Sequence, residues 1–146
     1  MAVAADMPLM KAVKPFLPDA EGSKIVSVKK ADDWDASGIT VMTEAVAVKE
    51  TGPKETVARF GEMYAFSPTF IAVHRNEPTT LHFRNLQPDD EHDFALLDKK
   101  GRILMEAILP PLSETSYVFT FHDEGVFPFK CVTHAPEMSG QFLVLP

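Results

Sequence analysis

A short stretch near the C-terminus carries three side chains that bind soft metal ions. Cys131, His134 and Met138 follow one another at the spacing Cys-x2-His-x3-Met, just before a final strand-like run. Thiolate and thioether groups favour copper(I), and imidazole suits both copper oxidation states. Two histidines, one cysteine and a distant methionine are a ligand set that copper takes in proteins. The stretch therefore predicts a mononuclear copper site that needs one further histidine.

The candidate for that second histidine is His92, which begins a strand-like run after an acidic loop. Side chains alternate between the two faces of a strand, so His92 shares a face with Phe94 and Leu96. By the same alternation, Cys131 shares a face with Phe129 at the end of its own run. If the two strands are neighbours, both ligands point inward at one pole of the molecule.

The other histidines and the other metals fit the pattern less well. His74 and His82 are expected to face outward on strands, and His122 to lie at the surface where a turn begins. A structural zinc site would need four cysteine or histidine ligands at zinc spacings, whereas this chain has a single cysteine. A two-copper site would need a second cysteine as well.

The remainder of the chain predicts an all-β domain. Its 12 prolines and 7 glycines separate short runs of β-forming residues, and no helical periodicity extends beyond a turn or two. Short strands at this spacing are typical of a sandwich or a barrel. The predicted strands are 24–29, 39–48, 56–60 with 62–66 (one strand interrupted at Gly61), 69–75, 79–86, 92–97, 103–109, 115–121, 126–131 and 141–146.

The N-terminal part differs in character from the rest. We expect residues 1–24 to form an irregular arm that packs through Phe16 and Leu17, and residues 25–146 to form a single domain. A polar loop carries the only tryptophan, Trp34.

No run of about 18 apolar residues exists, so no membrane span is expected. The net charge of −7 argues against nucleic acid as a partner. The Ala-Val-Ala-Ala start favours an exported, periplasmic protein whose signal peptide is absent from this chain.

From about residue 66 to the C-terminus, the sequence resembles the cupredoxin family, the type 1 blue copper electron carriers such as plastocyanin, pseudoazurin and amicyanin. The resemblance implies a Greek-key β-sandwich holding one copper ion. It gives His92 the role of the upstream histidine ligand and Cys131 that of the thiolate ligand. It likewise makes His134 the histidine at the solvent edge and Met138 the weak axial ligand.

The resemblance also singles out residues around the ligands. Asp93 stands where many members have an asparagine that donates a hydrogen bond towards the sulfur. Because an ionised aspartate cannot donate, either it is protonated, or it turns away, or its backbone N–H takes over. Phe129 would make the surroundings of the metal apolar, which raises the reduction potential. Ala135 and Pro136 would frame the edge of His134, where electrons leave.

These features favour an electron carrier rather than an enzyme, because four protein ligands leave no open position for a substrate. The acidic balance suggests basic redox partners, such as a cytochrome c or a terminal oxidase or reductase. Three alternatives remain open. The protein could be a catalytic copper protein similar to nitrosocyanin, with a carboxylate from Glu91 or Glu137 in the site. It could be a copper chaperone or storage protein, or a metal-free module of the same fold.

Overall fold

The structure is a computed structural model, and it describes residues 24–30 and 38–146, the first of these stretches by its backbone alone. The predicted contacts of Phe16 and Leu17, and the loop that carries Trp34, lie outside the described residues. So does the arm predicted over residues 1–24, except for its last residue, Lys24, which begins the first strand.

Ten strands and one helix make up the described chain. In order they are β1 Lys24–Lys30, β2 Ile39–Ala47, α1 Lys54–Phe60, β3 Met63–Ser67, β4 Phe70–His74, β5 Thr79–Asn85, β6 His92–Leu97, β7 Ile103–Leu109, β8 Ser113–Phe119, β9 Gly125–Lys130 and β10 Ser139–Leu145.

The strands form two five-stranded sheets. The first has the order β1-β8-β5-β2-β3 and the second the order β4-β10-β9-β6-β7. Pairing is antiparallel except between β2 and β5 and between β4 and β10, which run parallel. Consecutive strands switch repeatedly from one sheet to the other, which closes the molecule as a sandwich. The predicted all-β Greek-key sandwich is confirmed.

Aromatic side chains from both sheets fill the space between them. Phe83 of the first sheet and Phe94 of the second have ring centroids 4.3 Å apart. Phe129 contacts Phe94 at 5.1 Å, Phe66 at 5.6 Å and Phe142 at 5.4 Å. These rings are fully buried, so the alternation of apolar residues predicted in the strands is the alternation that builds the core.

The prediction of a strand over residues 56–60 is wrong, because this segment is the helix α1. Pro53 precedes its first turn, where a fixed φ and a missing N–H cost nothing. Glu55 and Arg59 lie near the helix ends whose dipole they complement. Gly61 ends the helix with a φ of 82°. Within the described parts of the chain, no helix is long and apolar enough to cross a membrane.

The prediction that His82 faces outward to solvent is also wrong. His82 lies on the face of β5 away from Leu81, yet only 4% of it is exposed. Its Nδ1 lies 2.7 Å from the hydroxyl of Ser116 and 3.5 Å from the Glu114 carboxylate, both on the neighbouring strand β8. His74 and His122 are exposed, as expected.

Candidate metal centre

The candidate ligands on strands meet because β6 and β9 are neighbours. The two strands pair antiparallel, with Leu96 opposite Phe129. His92 is the first residue of β6, and Cys131 directly follows the last residue of β9. Antiparallel pairing brings the start of one strand beside the end of the other, so both side chains reach the same pole. Both are buried, with exposures of 1% for His92 and 0% for Cys131.

His134 completes a compact group of three potential ligands. His92 Nδ1 lies 3.2 Å from His134 Nδ1, and Cys131 Sγ lies 3.5 Å from the same nitrogen. All three ligand atoms lie within 4.8 Å of one another. Bonds to a zinc ion are about 2.0–2.1 Å from imidazole and about 2.3 Å from thiolate, so two ligand atoms of one ion can be about 4 Å apart. The residues present therefore fit a single transition-metal ion.

Backbone hydrogen bonds close the loop that carries His134 and Met138. The Cys131 N–H donates to the Met138 carbonyl at 2.9 Å, and the Met138 N–H donates to the His134 carbonyl at 3.2 Å. The Ser139 hydroxyl donates to the Pro136 carbonyl at 2.9 Å. Met138 is fully buried. The loop thus returns to the end of β9 with its methionine inside the molecule.

Gly140 allows the last strand to start directly beneath this loop. A Cβ at this position would collide with the carbonyl oxygen of Thr69 and with the ring of Phe129. Only a residue without a side chain permits this approach, so Gly140 is required by packing rather than by its backbone angles. The buried Phe129 ring lies against Gly140, its partner residue on the neighbouring strand.

Asp93 joins the strand side of the site to the loop. Its backbone N–H lies 3.4 Å from Cys131 Sγ, so the amide supplies the hydrogen bond towards sulfur. Its carboxylate, which is almost fully buried, accepts hydrogen bonds from the Val132 N–H at 2.6 Å and from the Thr133 hydroxyl at 3.0 Å. Of the three alternatives considered for Asp93, the backbone contact is observed. The side chain does not turn away, because its Oδ2 also lies 3.5 Å from Cys131 Sγ.

Burial sets the protonation states of the strand-borne ligands. Burial lowers the pKa of His92 to about 4, with the nearby His134 adding to the effect. Burial raises the pKa of the Cys131 thiol to about 11. At neutral pH, His92 is therefore ready to bind a metal, whereas Cys131 must release a proton when it does so.

The loop side of the site is open. His134 is half-buried, and the neighbouring Ala135 and Pro136 are exposed. Val132 exposes 47% of its surface at the same edge. Glu91 and Glu137 do not belong to the group of ligand atoms. The exposed surface beside His134 therefore includes the apolar residues Val132, Ala135 and Pro136. Within the described residues, no carboxylate joins the three potential ligands.

Comparisons with known proteins give the fold. Amicyanin from Paracoccus versutus (Thiobacillus versutus) matches 85% of this chain over 98% of its own length, with 15% identity and a TM-score of 0.55. A variant of amicyanin in its reduced Cu(I) form at pH 4 matches 85% of this chain and 99% of its own, with 16% identity and a TM-score of 0.54. Dithionite-reduced auracyanin from Roseiflexus castenholzii matches 56% of this chain over 88% of its own length, with 18% identity and a TM-score of 0.50.

The chain has the cupredoxin fold. No model of a protein family matches its sequence, and no curated protein sequence matches it either. The expected fold is thus confirmed by structural likeness alone, and the roles of the individual ligands remain predictions.

Two residues that contact the candidate ligands were not predicted. Tyr64 places its ring edge-on to His92 and to His134, with 4.8 Å between centroids in each pair. Its hydroxyl donates to the Asp90 carboxylate at 2.6 Å. Gln87 Oε1 lies 2.9 Å from His92 Nε2. The alternation of β3 marks Tyr64 as inward-facing, but the position of Gln87 follows from the path of a loop that the sequence pattern leaves open.

Proposed function

We propose that this protein is a one-electron carrier that binds one copper ion through His92, Cys131 and His134, with Met138 as a weak fourth ligand. The observation that supports it best is the convergence of two imidazole nitrogens and one sulfur within 4.8 Å of one another. Copper bound there would supply the Cu(II)/Cu(I) couple. The proposed assignment follows the ligand chemistry of the residues and the likeness to copper-containing amicyanin.

The protein's own contribution would be a rigid and dry surround. His92 and Cys131 come from paired strands of a packed sandwich, and the Tyr64 ring covers both imidazoles. The aromatic core begins directly below, at Phe129. Side chains in such a core have little freedom to rearrange. The ligands would therefore keep one arrangement during electron transfer, and an apolar environment would favour the reduced state.

The exit for electrons would be the half-buried edge of His134, framed by Ala135 and Pro136. Small, weak and transient contacts are what redox partners use. With a net charge of −7, the protein would be attracted to basic partners, such as a cytochrome c or a terminal oxidase or reductase. We assign residues 25–146 to one domain, preceded by an arm of residues 1–24, and place the protein in the periplasm or another exported location.

The catalytic alternative has less support from the geometry. A carboxylate in the site would come from Glu91 or Glu137, and neither joins the three potential ligands. No described contact favours a copper chaperone or a metal-free module over a carrier.

The deciding experiment is copper reconstitution followed by visible and paramagnetic resonance spectroscopy. An electron carrier of this kind should bind one equivalent of copper and show an intense thiolate-to-copper band with narrow copper hyperfine splitting. The Cys131→Ser variant should lose the band, because the charge-transfer donor is gone, and an Asp123→Asn variant at an exposed turn should keep it. Absence of stoichiometric binding in the unmodified protein would overturn the proposal.

A further inference from the structure

A set of buried polar side chains lies behind His92, on the side away from the other potential ligands. Gln87 Oε1 is 2.9 Å from His92 Nε2 and 2.5 Å from the hydroxyl oxygen of Thr43. The same hydroxyl is 3.1 Å from Asn85 Oδ1. Thr43, Asn85 and Gln87 are all buried. Buried polar groups are costly unless they are paired, so this set has a fixed arrangement of donors and acceptors.

The arrangement can be worked out from the ends of the network inward. The Asn85 side-chain NH2 donates to the carbonyls of Asp90 and Leu109 at 2.8 and 2.9 Å. Its Oδ1 accepts the Gln87 N–H at 3.0 Å. Asn85 is therefore held in one orientation, and it fixes the backbone on both sides of the loop that carries Gln87.

The Gln87 amide presents its carbonyl oxygen to both Thr43 and His92. The Thr43 hydroxyl has a single proton, and Gln87 Oε1 lies nearer to this hydroxyl than Asn85 Oδ1 does, so the proton is directed to Gln87. The carbonyl oxygen only accepts. Because the same oxygen faces His92 Nε2, that ring nitrogen carries a hydrogen. The other ring nitrogen, Nδ1, then has its lone pair free, and it faces His134 at 3.2 Å.

We propose that Gln87 is a positioning residue: its side-chain carbonyl, anchored by Thr43, holds His92 in the Nε2–H tautomer with Nδ1 turned towards Cys131 and His134. Thr43 belongs to one sheet and His92 to the other, so the contact ties a potential ligand to the opposite layer of the sandwich. The arrangement is complete in the chain itself. Only its consequence for copper binding rests on the proposed function.

The tautomer is measured directly in the metal-free protein by long-range 1H–15N NMR correlation of the histidine rings at neutral pH. The unmodified protein should show His92 as the Nε2–H tautomer. Gln87→Met keeps the length of the side chain and removes the acceptor, so His92 should shift to a mixture of tautomers. Gln141→Met, at an exposed position of β10, makes the same chemical change away from the network and should leave His92 unaltered. An Nδ1–H tautomer in the unmodified protein, or an unchanged tautomer in Gln87→Met, overturns the proposal.

A second pair of variants tests the anchor even if Gln87→Met fails to fold. Thr43→Val keeps the shape and removes the hydroxyl, which frees the amide to turn its NH2 towards His92. Its His92 resonances should report both tautomers. Thr43→Ser restores a hydroxyl and should restore the Nε2–H form. If Thr43→Val retains the pure Nε2–H tautomer, Thr43 is not the anchor and the proposal is wrong as stated.

Copper titration then separates this proposal from the proposed function. Loss of a group that orients a metal-binding histidine typically weakens metal binding about 10- to 100-fold. We expect such a loss in Gln87→Met and none in Gln141→Met. Failure of the unmodified protein to bind copper would refute the proposed function and leave the tautomer result standing. Wild-type copper affinity in Gln87→Met would refute the positioning role alone.

Discussion

The two histidines of the candidate site are held in different ways. His92 starts a strand that is buried along its whole length, and its far ring nitrogen contacts Gln87 within a network that reaches the opposite sheet. His134 lies on the loop between β9 and β10, half-buried beside exposed Ala135 and Pro136. The backbone of its loop is closed by a few local hydrogen bonds.

The strand side of the site, which carries His92, and the loop side, which carries His134, therefore have different properties. The strand side is fixed by the same contacts that stabilise the sandwich, so its geometry comes with folding. On the loop side, backbone hydrogen bonds within one short segment hold the loop together, and His134 is accessible to solvent. In the proposed electron carrier, such a site would be rigid where the ligands bind the metal and open where a partner would approach.

The largest effect should come from His92→Ala. The change removes a buried ring and leaves the Gln87 carbonyl without one of its donors, and an unsatisfied buried polar group costs about 1–3 kcal/mol. We expect the free energy of unfolding of the metal-free protein to fall by about that amount, and stoichiometric copper binding to be lost. Urea unfolding and copper titration measure the two effects.

His74→Ala is the matched control for this variant, since His74 is an exposed histidine at the end of β4. Substitutions at such surface positions usually change stability by less than about 0.5 kcal/mol. A His92→Ala protein that unfolds like the His74→Ala protein and still binds one copper ion would remove the distinction between the two sides.

A smaller effect on folding, with a reversible effect on the metal, is expected for His134→Ala. The ring is half-buried and its loop is closed by backbone hydrogen bonds, so the free energy of unfolding should change by less than about 1 kcal/mol. The gap opens to solvent, and added imidazole should enter it and restore the visible band of the copper form. Equal rescue of His92→Ala and His134→Ala by imidazole would contradict the difference in access.

The parts of the site that could be predicted from sequence are those that depend on alternation and on ligand chemistry. The period-two pattern placed Phe94 and Phe129 inside, and with them His92 and Cys131 at the strand ends. Nothing in that pattern states which strands are neighbours, and the pairing of β6 with β9 had to be assumed.

The parts that could not be predicted depend on contacts between distant segments. His82 is buried because Ser116 and Glu114 lie across from it and beside it on β8, a register that no local pattern contains. Gln87 contacts His92 because Asn85 fixes the loop between them. The helix α1 was missed because a seven-residue segment bounded by Pro53 and Gly61 is too short to show a helical period.

Lowering the pH should destabilise the metal-free protein, because His92 is buried in the folded state. The pKa of His92 is lowered to about 4 in the folded protein, whereas an unfolded chain protonates its histidines near 6.5. Between these values the unfolded state binds more protons, so the free energy of unfolding of the metal-free protein should fall as the pH is lowered from about 6.5 to 4. Urea unfolding at a series of pH values measures this slope. The His92→Gln variant should show a shallower slope over the same range, and an identical slope would show that His92 does not cause it.

The most conservative change tests the residue that links the two sides. Asp93 follows His92 on the strand, and its carboxylate holds the loop through Val132 and Thr133. One carboxylate oxygen lies 3.5 Å from Cys131 Sγ. A negative charge there opposes reduction of the metal, so Asp93→Asn should raise the reduction potential of the copper form, and an amide N–H facing the sulfur would act in the same direction. For a one-electron couple, about 59 mV corresponds to about 1.4 kcal/mol, and we expect a rise of this order in a redox titration.

Asp123→Asn, in the exposed turn before β9, should leave the reduction potential unchanged. A lower potential in Asp93→Asn would mean that the carboxylate acts on the loop geometry more strongly than on the charge at the sulfur.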